Sequence, residues 1–190
     1  MQVMTLDAQL CALIAEWEYR KEMSACLFID VRAAKTGLLP DAVFCTAVTD
    51  DIPDIFRISG DFFNQADNNF SSLEQRITAG ILFTLKEDGC LLGCGIIEKS
   101  CLIQGIASIG MFVAKEHRQR GAATRILAEL KAWAYANNLT PVAGCGYNNT
   151  LSRKSLEAAR MAVAGIVYDA VLVGRIEPPR GRRMLSGDPS

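Results

Sequence analysis

The chain carries one histidine, His117, in 190 residues. Imidazole is the commonest metal ligand and general base, so a single ring leaves little room for a metal centre or a covalent dyad. Cysteine is present, but in the wrong pattern for zinc. Cys11, Cys26, Cys45, Cys90, Cys94, Cys101 and Cys145 contain no Cys-x-x-Cys pair, and the spacing of a zinc site is absent. Charge of one sign is not in excess either. Twenty Lys and Arg face 21 Asp and Glu, for a net charge of −1, which excludes the broad basic field of a nucleic-acid-binding domain. No apolar run reaches the ~20 residues that span a bilayer. The opening residues Met1-Gln-Val-Met-Thr-Leu-Asp7 lack the charged start and apolar stretch of a secretory leader. These absences predict a cytoplasmic protein with reduced thiols, without metal, nucleic acid or membrane among its partners. The cysteines are expected to serve mostly as small buried hydrophobes.

Half of the residues are hydrophobic, enough for one domain with an appendage. Residues 6–24 read as an amphipathic helix, with Leu6, Leu10, Leu13, Ile14 and Trp17 near helical spacing and Thr5 as cap. Leu27–Ala34 fits helix or strand, and Thr36-Gly-Leu-Leu-Pro40 marks a break. Residues 1–40 are therefore expected as an N-terminal helical extension: a helix packed on the domain, a wall for a binding site, or a dimer contact. A strand over Ala42–Val48 precedes a helix opened by Thr49-Asp-Asp-Ile-Pro53. Ser71-Ser-Leu-Glu74 resembles a capping box opening a short helix. Ile81–Lys86 and Leu91–Lys99 read as strands joined by the turn Glu87-Asp-Gly89. Gly105–Val113 is a further strand, followed by a helix over Ala122–Ala136 with Ile126, Leu127, Leu130, Trp133 and Ala134 on one face. Thr140–Gly146, Thr150–Met161 and Ala164–Val173 complete the pattern as strand, helix and strand. The arginine-bearing tail, residues 177–190, is expected to be mobile.

Between the strand ending at Val113 and the helix beginning at Ala122 lies Ala-Lys-Glu-His-Arg-Gln-Arg-Gly. Strand, basic loop with glycine, then helix is the order that binds phosphate. The first turn of a helix offers unpaired N–H groups and the positive end of its dipole. Small residues at Gly121, Ala122 and Ala123 let an anion approach the backbone, and Arg118 and Arg120 add forked donors. The loop lacks the lysine of a P-loop and the first glycine of a dinucleotide fingerprint, which speaks against ATP and NAD.

Arg118-x-x-Gly121-x-Ala123 is similar to the Arg/Gln-x-x-Gly-x-Gly/Ala signature of the GNAT superfamily, the general-control-related N-acetyltransferases. The order of elements from residue 42, β-α-α-β-β-β-α-β-α-β, matches as well. The resemblance implies an α/β fold with a GNAT-like mixed central β-sheet flanked by helices, over residues 41–176. It implies acetyl-CoA as cosubstrate, gripped along the strand and loop by Met111, Phe112, Val113, Arg118, Gln119, Arg120, Gly121, Ala122, Ala123 and Thr124. A second landmark of the family is similar to Asn149-Thr-Leu-Ser152, which implies contact of Asn149 and Ser152 with the pantetheine arm. By residue type alone, Asn149 suits a helix cap equally.

The chain departs from the family pattern at three places. Leu156 stands where many members carry a tyrosine acid. Arg160-Met161 stands where Gly-Phe is common. No acidic side chain lies in Gly105–Val113, where many members carry their base. Glu98 is the best remaining base, acting through water; otherwise it is a solvated strand-end charge. Tyr147 and Tyr168 are the candidate acids, Tyr147 being better placed. Glu116 is expected to balance the loop arginines, and His117 to pack rather than catalyse.

The expected function is direct acetyl transfer to a primary amine of a small molecule or peptide. Its alternative is a non-catalytic CoA-binding regulatory module. Asp50, Asp51, Asp54, Asp61 and Asp67 lean the acceptor towards a cation. A homodimer is compatible with the sequence, and the tail arginines Arg175, Arg180, Arg182 and Arg183 are weak grounds for nucleic-acid binding.

Overall fold

A computed structural model describes residues 19–31, 38–63, 72–101 and 103–172. The expected helix before residue 19, the residues of the tail and Asp67 lie outside the described residues. The strands are β1 (Tyr19–Asp30), β2 (Val43–Thr46), β3 (Leu82–Glu87), β4 (Cys90–Lys99), β5 (Ile106–Val113), β6 (Thr140–Gly146) and β7 (Met161–Leu172). The helices are α1 (Ile52–Ser59), α2 (Leu73–Thr78), α3 (Ala122–Ala136) and α4 (Thr150–Ala158). From β2 onward their order is the expected one. The strands form one sheet in the order β2-β3-β4-β5-β6-β1-β7. The fold is the GNAT-like mixed sheet with flanking helices.

The chain divides into a unit of Ser24–Val167, which carries everything discussed below, and a unit of Met1–Met23 with Tyr168–Ser190. Of the latter, residues 19–23 and 168–172 are described, as strand.

β1 departs from the sequence expectation. Residues 19–24 are strand where helical spacing predicted helix, and β1 pairs antiparallel with β6, from Ala25↔Gly146 to Ile29↔Val142. The segment before residue 40 therefore supplies a strand to the sheet. Cys26 and Phe28, each 1% exposed, fill the core from it. Residues 19–24, Tyr-Arg-Lys-Glu-Met-Ser, carry too few apolar residues to set either period, and the helical spacing read from Leu6–Trp17 does not extend into them.

Two cores flank the sheet. On one side α3 lays Ile126, Leu127, Leu130 and Ala134, all fully buried, against Leu92, Ile97 and Ile109. Each such aliphatic side chain contributes about 1.5–3 kcal/mol by leaving water. The close approach of α3 depends on Gly95, where a Cβ would stand 2.7 Å from Ile126 and 3.0 Å from Leu130. On the other side Ile55 of α1 and Leu73 of α2 pack on Leu82, Leu91 and Cys94. Burial pushes the Cys94 thiol up to about 12, so this sulfur stays protonated and inert.

Local chemistry sets the turns. Asp88 and Gly89, at φ +49° and +75°, make the two-residue turn between β3 and β4. Ser72, one residue later than the expected cap, accepts the N–H of Gln75 at 3.2 Å to start α2. After α4, Arg160 takes φ +64°, the left-handed conformation that glycine supplies in many relatives of this pattern, and Met161 is 3% exposed in the core. The turn is thus kept with a less suited residue. Arg160→Gly is expected to stabilise the chain by about 1 kcal/mol, the left-handed strain less glycine's added unfolded-state freedom. That corresponds to a rise of about 2–4 °C in melting temperature. A fall would show that the arginine side chain itself holds the turn.

The cysteines correct another expectation. All six described are free, but only Cys26 and Cys94 are buried, while Cys45, Cys90 and Cys101 are exposed. Sequence reading also missed Lys131. It is 4% exposed on α3, pairs with Asp30 and donates to the Ala159 carbonyl at 2.7 Å. Tyr135 donates to the same carboxylate, so this network ties β1 to α3. Among the described residues, no helix is long and apolar enough to cross a membrane.

Candidate active site

The site begins where two parallel strands part. β5 and β6 pair only from Ile106↔Thr140 to Ser108↔Val142. Beyond that point β5 stays with β4 as far as Val113↔Gly93, while β6 stays with β1 as far as Gly146↔Ala25. A wedge opens between Ile109–Val113 and Ala143–Gly146. Along it, the backbone groups of β5 that point away from β4 face no neighbouring strand. An extended ligand carrying amides can complete such an edge by strand-like hydrogen bonds.

The loop from Val113 to α3 closes the wide end. Ala114 N–H donates to the Leu92 carbonyl at 3.0 Å, and a single 3₁₀ turn, Lys115–His117, follows. Gln119 at φ +63° and Gly121 at φ +91° then reverse the chain. Gly121 is the N-cap of α3 and gives no side-chain cap bond. The N–H groups of Ala122, Ala123 and Thr124 therefore emerge at the helix start without an intrahelical partner. Their dipole and small side chains fit a pyrophosphate. Leu38 packs over Gly121, 3.5 Å from where a Cβ would stand, and its carbonyl accepts from Arg125 at 3.2 Å.

The two loop arginines are anchored. Arg118 donates through Nε to the Val113 carbonyl at 3.2 Å, and its guanidinium lies 6.0 Å from the centre of the Phe112 ring. Arg120 meets His117 Nδ1 at 3.4 Å. Glu116, expected to balance them, instead faces Arg57 of α1 at 3.9 Å, with both side chains exposed. His117 contacts Cys90 and Arg120.

Met111 leans on the α3-side core, and Phe112 faces the other side, where its ring lies 5.4 Å from that of Phe62. Glu98 lies on β4 opposite Ser108, the last β5 residue still paired with β6. It forms an ion pair with Arg76 of α2, whose side chain is 4% exposed against 25% for Glu98. Arg76 was not singled out by sequence. Its burial depends on α2 folding over β4, and local spacing carries no trace of that.

Asn149 caps α4: its Oδ1 accepts the Ser152 N–H at 3.1 Å. The cap reading is thus realised, and the amide Nδ2 is not used in that bond. Tyr147 follows β6, packs against the α3-side core and donates its backbone N–H to the Ser24 carbonyl at 2.9 Å. Leu156, where many members of the family carry tyrosine, is 3% exposed in the core. Tyr168 lies on β7, and its side chain is outside the described residues.

The expected acidic lining is smaller than the sequence suggested. Asp51 is 5% exposed, accepts the Val48 N–H at 2.9 Å and pairs with Lys86. That pairing raises the Lys86 ammonium above its usual range. Asp54 pairs with Arg57 at 3.4 Å.

The profile of the Acetyltransferase (GNAT) family matches residues 49–159, more than half of the chain, and the chain belongs to that family. Solved structures share its fold. A GNAT-family acetyltransferase from Colwellia psychrerythraea is similar with a TM-score of 0.75 at 20% identity, over 89% of this chain and 63% of that one. The ribosomal-protein-alanine N-acetyltransferase of Brucella melitensis gives 0.55 at 16% identity, over 69% and 99%. The protein yncA of Salmonella typhimurium, solved with its cofactor acetyl-CoA, gives 0.55 at 13% identity, over 73% and 97%. No curated protein matches the sequence. The chain spans 63%, 64% and 58% of the length of the Colwellia protein and of two further GNAT structures, from Novosphingobium aromaticivorans and Sphaerobacter thermophilus.

Proposed function

We propose that the chain moves an acetyl group from acetyl-CoA directly to a primary amine of a small molecule or peptide. The observation that carries this reading is the wedge between β5 and β6 with the uncapped start of α3 at its mouth. From Val113 to Ser108 the strand runs about 17 Å at 3.3–3.4 Å per residue. That is the reach of an extended pantetheine arm, so an anion held at Ala122–Thr124 brings the far end of the arm beside Ser108. The thioester supplies an acyl group activated for attack by an amine.

The chain's own residues then have definite tasks. Gln119, Gly121, Ala122, Ala123 and Thr124 hold the pyrophosphate by backbone N–H groups. Arg118 and Arg120 fix the loop and add charge. Backbone N–H groups of Met111, Phe112 and Val113 that face the wedge bind the arm and polarise a carbonyl beside them. Asn149, through Nδ2, and Ser152 meet the arm from the other wall. Glu98, oriented by Arg76, takes the amine proton through a water at the closed end of the wedge. Tyr147, the acid expected from the sequence, follows Gly146 at the wide end of the wedge, about 17 Å along the strands from Ser108, so the departing thiolate beside Ser108 takes its proton from water.

Support for Glu98 is its position opposite Ser108. Its ion pair with Arg76 favours the second reading, a CoA-binding module without turnover, since a proton on Glu98 leaves a buried guanidinium uncompensated. One experiment separates the two. Acetyl-CoA at millimolar concentration is expected to raise the melting temperature by mass action. A panel of amines scored by release of the free CoA thiol is expected to give turnover with at least one member. Stabilisation without turnover on any amine supports the module; absence of stabilisation removes both.

A further inference from the structure

Cys90 and His117, two side chains that the acetyl-transfer reading leaves without a task, continue a chain of contacts from Arg120 of the phosphate loop. Cys90, exposed at the start of β4, has its Sγ 3.7 Å from His117 Nε2. His117 Nδ1 is 3.4 Å from Arg120 NH1. A guanidinium has donors only, so Nδ1 must accept and the ring proton must sit on Nε2. The imidazole therefore points an N–H at sulfur. An N–H aimed at the sulfur is placed to meet negative charge that develops there during reaction. Thiol–disulfide exchange proceeds through the thiolate.

We propose that Cys90 is a thiol-modification site for a small anionic disulfide, read out through Arg120 at the phosphate loop. The incoming disulfide finds an exposed sulfur, an N–H donor behind it and, across the imidazole ring, a guanidinium. Leu39, Glu87, Leu92, His117, Arg120 and Ala122 line one shallow hollow at this place, so the hollow reaches the first residue of α3. In the exchange, Cys90 loses its proton to solvent and its sulfur attacks one sulfur of the disulfide. The S–S bond of the reagent breaks, a mixed disulfide forms on Cys90, and the second half leaves as a thiolate that takes up a proton. Two electrons move within the sulfur chain, and no further oxidant is needed. The attached group brings its carboxylates next to Arg120. It then competes with a pyrophosphate for the same positive field, an effect that rests on the acetyl-CoA reading above.

The chain supplies its own controls. Cys45 and Cys101 are also exposed; Cys45 meets the Thr84 hydroxyl at 3.5 Å and lies within electrostatic reach of Lys86, and with one histidine in the chain neither has an imidazole N–H at its sulfur. Cys94 is buried with its thiol pushed up to about 12. The test is incubation of the full chain with glutathione disulfide near neutral pH, acid quenching and peptide mapping by mass spectrometry. Cys90 is expected to acquire glutathione about fivefold faster than Cys45 or Cys101. His117→Ala is expected to bring it down to their rate, and dithiothreitol to reverse the modification. Modified protein is expected to show an acetyl-CoA KM about fivefold higher, or a correspondingly weaker thermal shift. Cys90→Ser is expected to keep the unmodified response and ignore the reagent. Equal labelling of Cys90, Cys45 and Cys101, or an unchanged Cys90 rate in His117→Ala, overturns the site. Fast labelling with an unaltered acetyl-CoA response overturns its link to the loop. If unmodified protein ignores acetyl-CoA, the cofactor reading fails, while the labelling ratio still decides the site.

Discussion

Gly121→Glu is expected to abolish the rise in melting temperature that acetyl-CoA gives the parent chain. Two effects act together at this position. The backbone stands at φ +91°, a conformation that costs an L-residue about 1–2 kcal/mol. The new side chain also starts 3.5 Å from Leu38 and carries a carboxylate to the start of α3. There it occupies the dipole and N–H groups proposed for the pyrophosphate. Gly121→Ala separates the two effects. It carries the strain without the charge, and is expected to lower the melting temperature by about 2–8 °C while keeping a weakened acetyl-CoA shift. Circular dichroism of both variants checks that the fold persists. If Gly121→Glu still gains full stabilisation from acetyl-CoA, the anion is held elsewhere and the proposed loop site fails.

Removal of the Glu98 carboxylate is expected to have the second large effect, on stability and on rate by different routes. Glu98→Ala takes the carboxylate from Arg76, which is 3% exposed. Stripping a buried charge of its partner costs about 3–5 kcal/mol, or roughly 6–20 °C of melting temperature for a chain of this size. Glu98→Gln keeps an oxygen that accepts from the guanidinium and is expected to lose less stability. Both variants lack a base. If Glu98 takes the amine proton through water, both lose about a hundredfold in kcat/KM, and the acidic limb of the pH–rate profile disappears in Glu98→Gln. A Glu98→Gln variant with the parent's kcat and pH profile assigns Glu98 solely to holding Arg76, and the base must then be sought elsewhere.

The glycine and glutamate positions differ in what made them visible. The turn into α3 at Gly121, where the anion site is proposed, was legible because its chemistry is local. Gly121, Ala122 and Ala123 must be small at the start of one helix, and that requirement is met within a few consecutive residues. The structure places them there, with Gly121 as the left-handed cap. The α3 face was legible for the same reason, since Ile126, Leu127, Leu130 and Ala134 repeat at helical spacing and all are fully buried. The neighbours of Glu98 and Glu116 were not. Glu116 meets Arg57 rather than the arginines beside it in sequence, because α1 folds across the sheet to reach the loop. Asn149 realises the simple local role, a cap, for which its own sequence neighbourhood was sufficient.

By itself, the sequence determined the class of the fold and the strand–loop–helix on which the anion site is proposed, because hydrophobic periodicity and helix-start chemistry act over a few residues. Tertiary structure decided that residues 25–29 pair with β6, that Arg76 is buried against Glu98, and that Cys90, His117 and Arg120 meet. These contacts join residues 22, 27 and about 120 positions apart. Their energies depend on which surfaces the sheet brings together, and local patterning leaves no record of that.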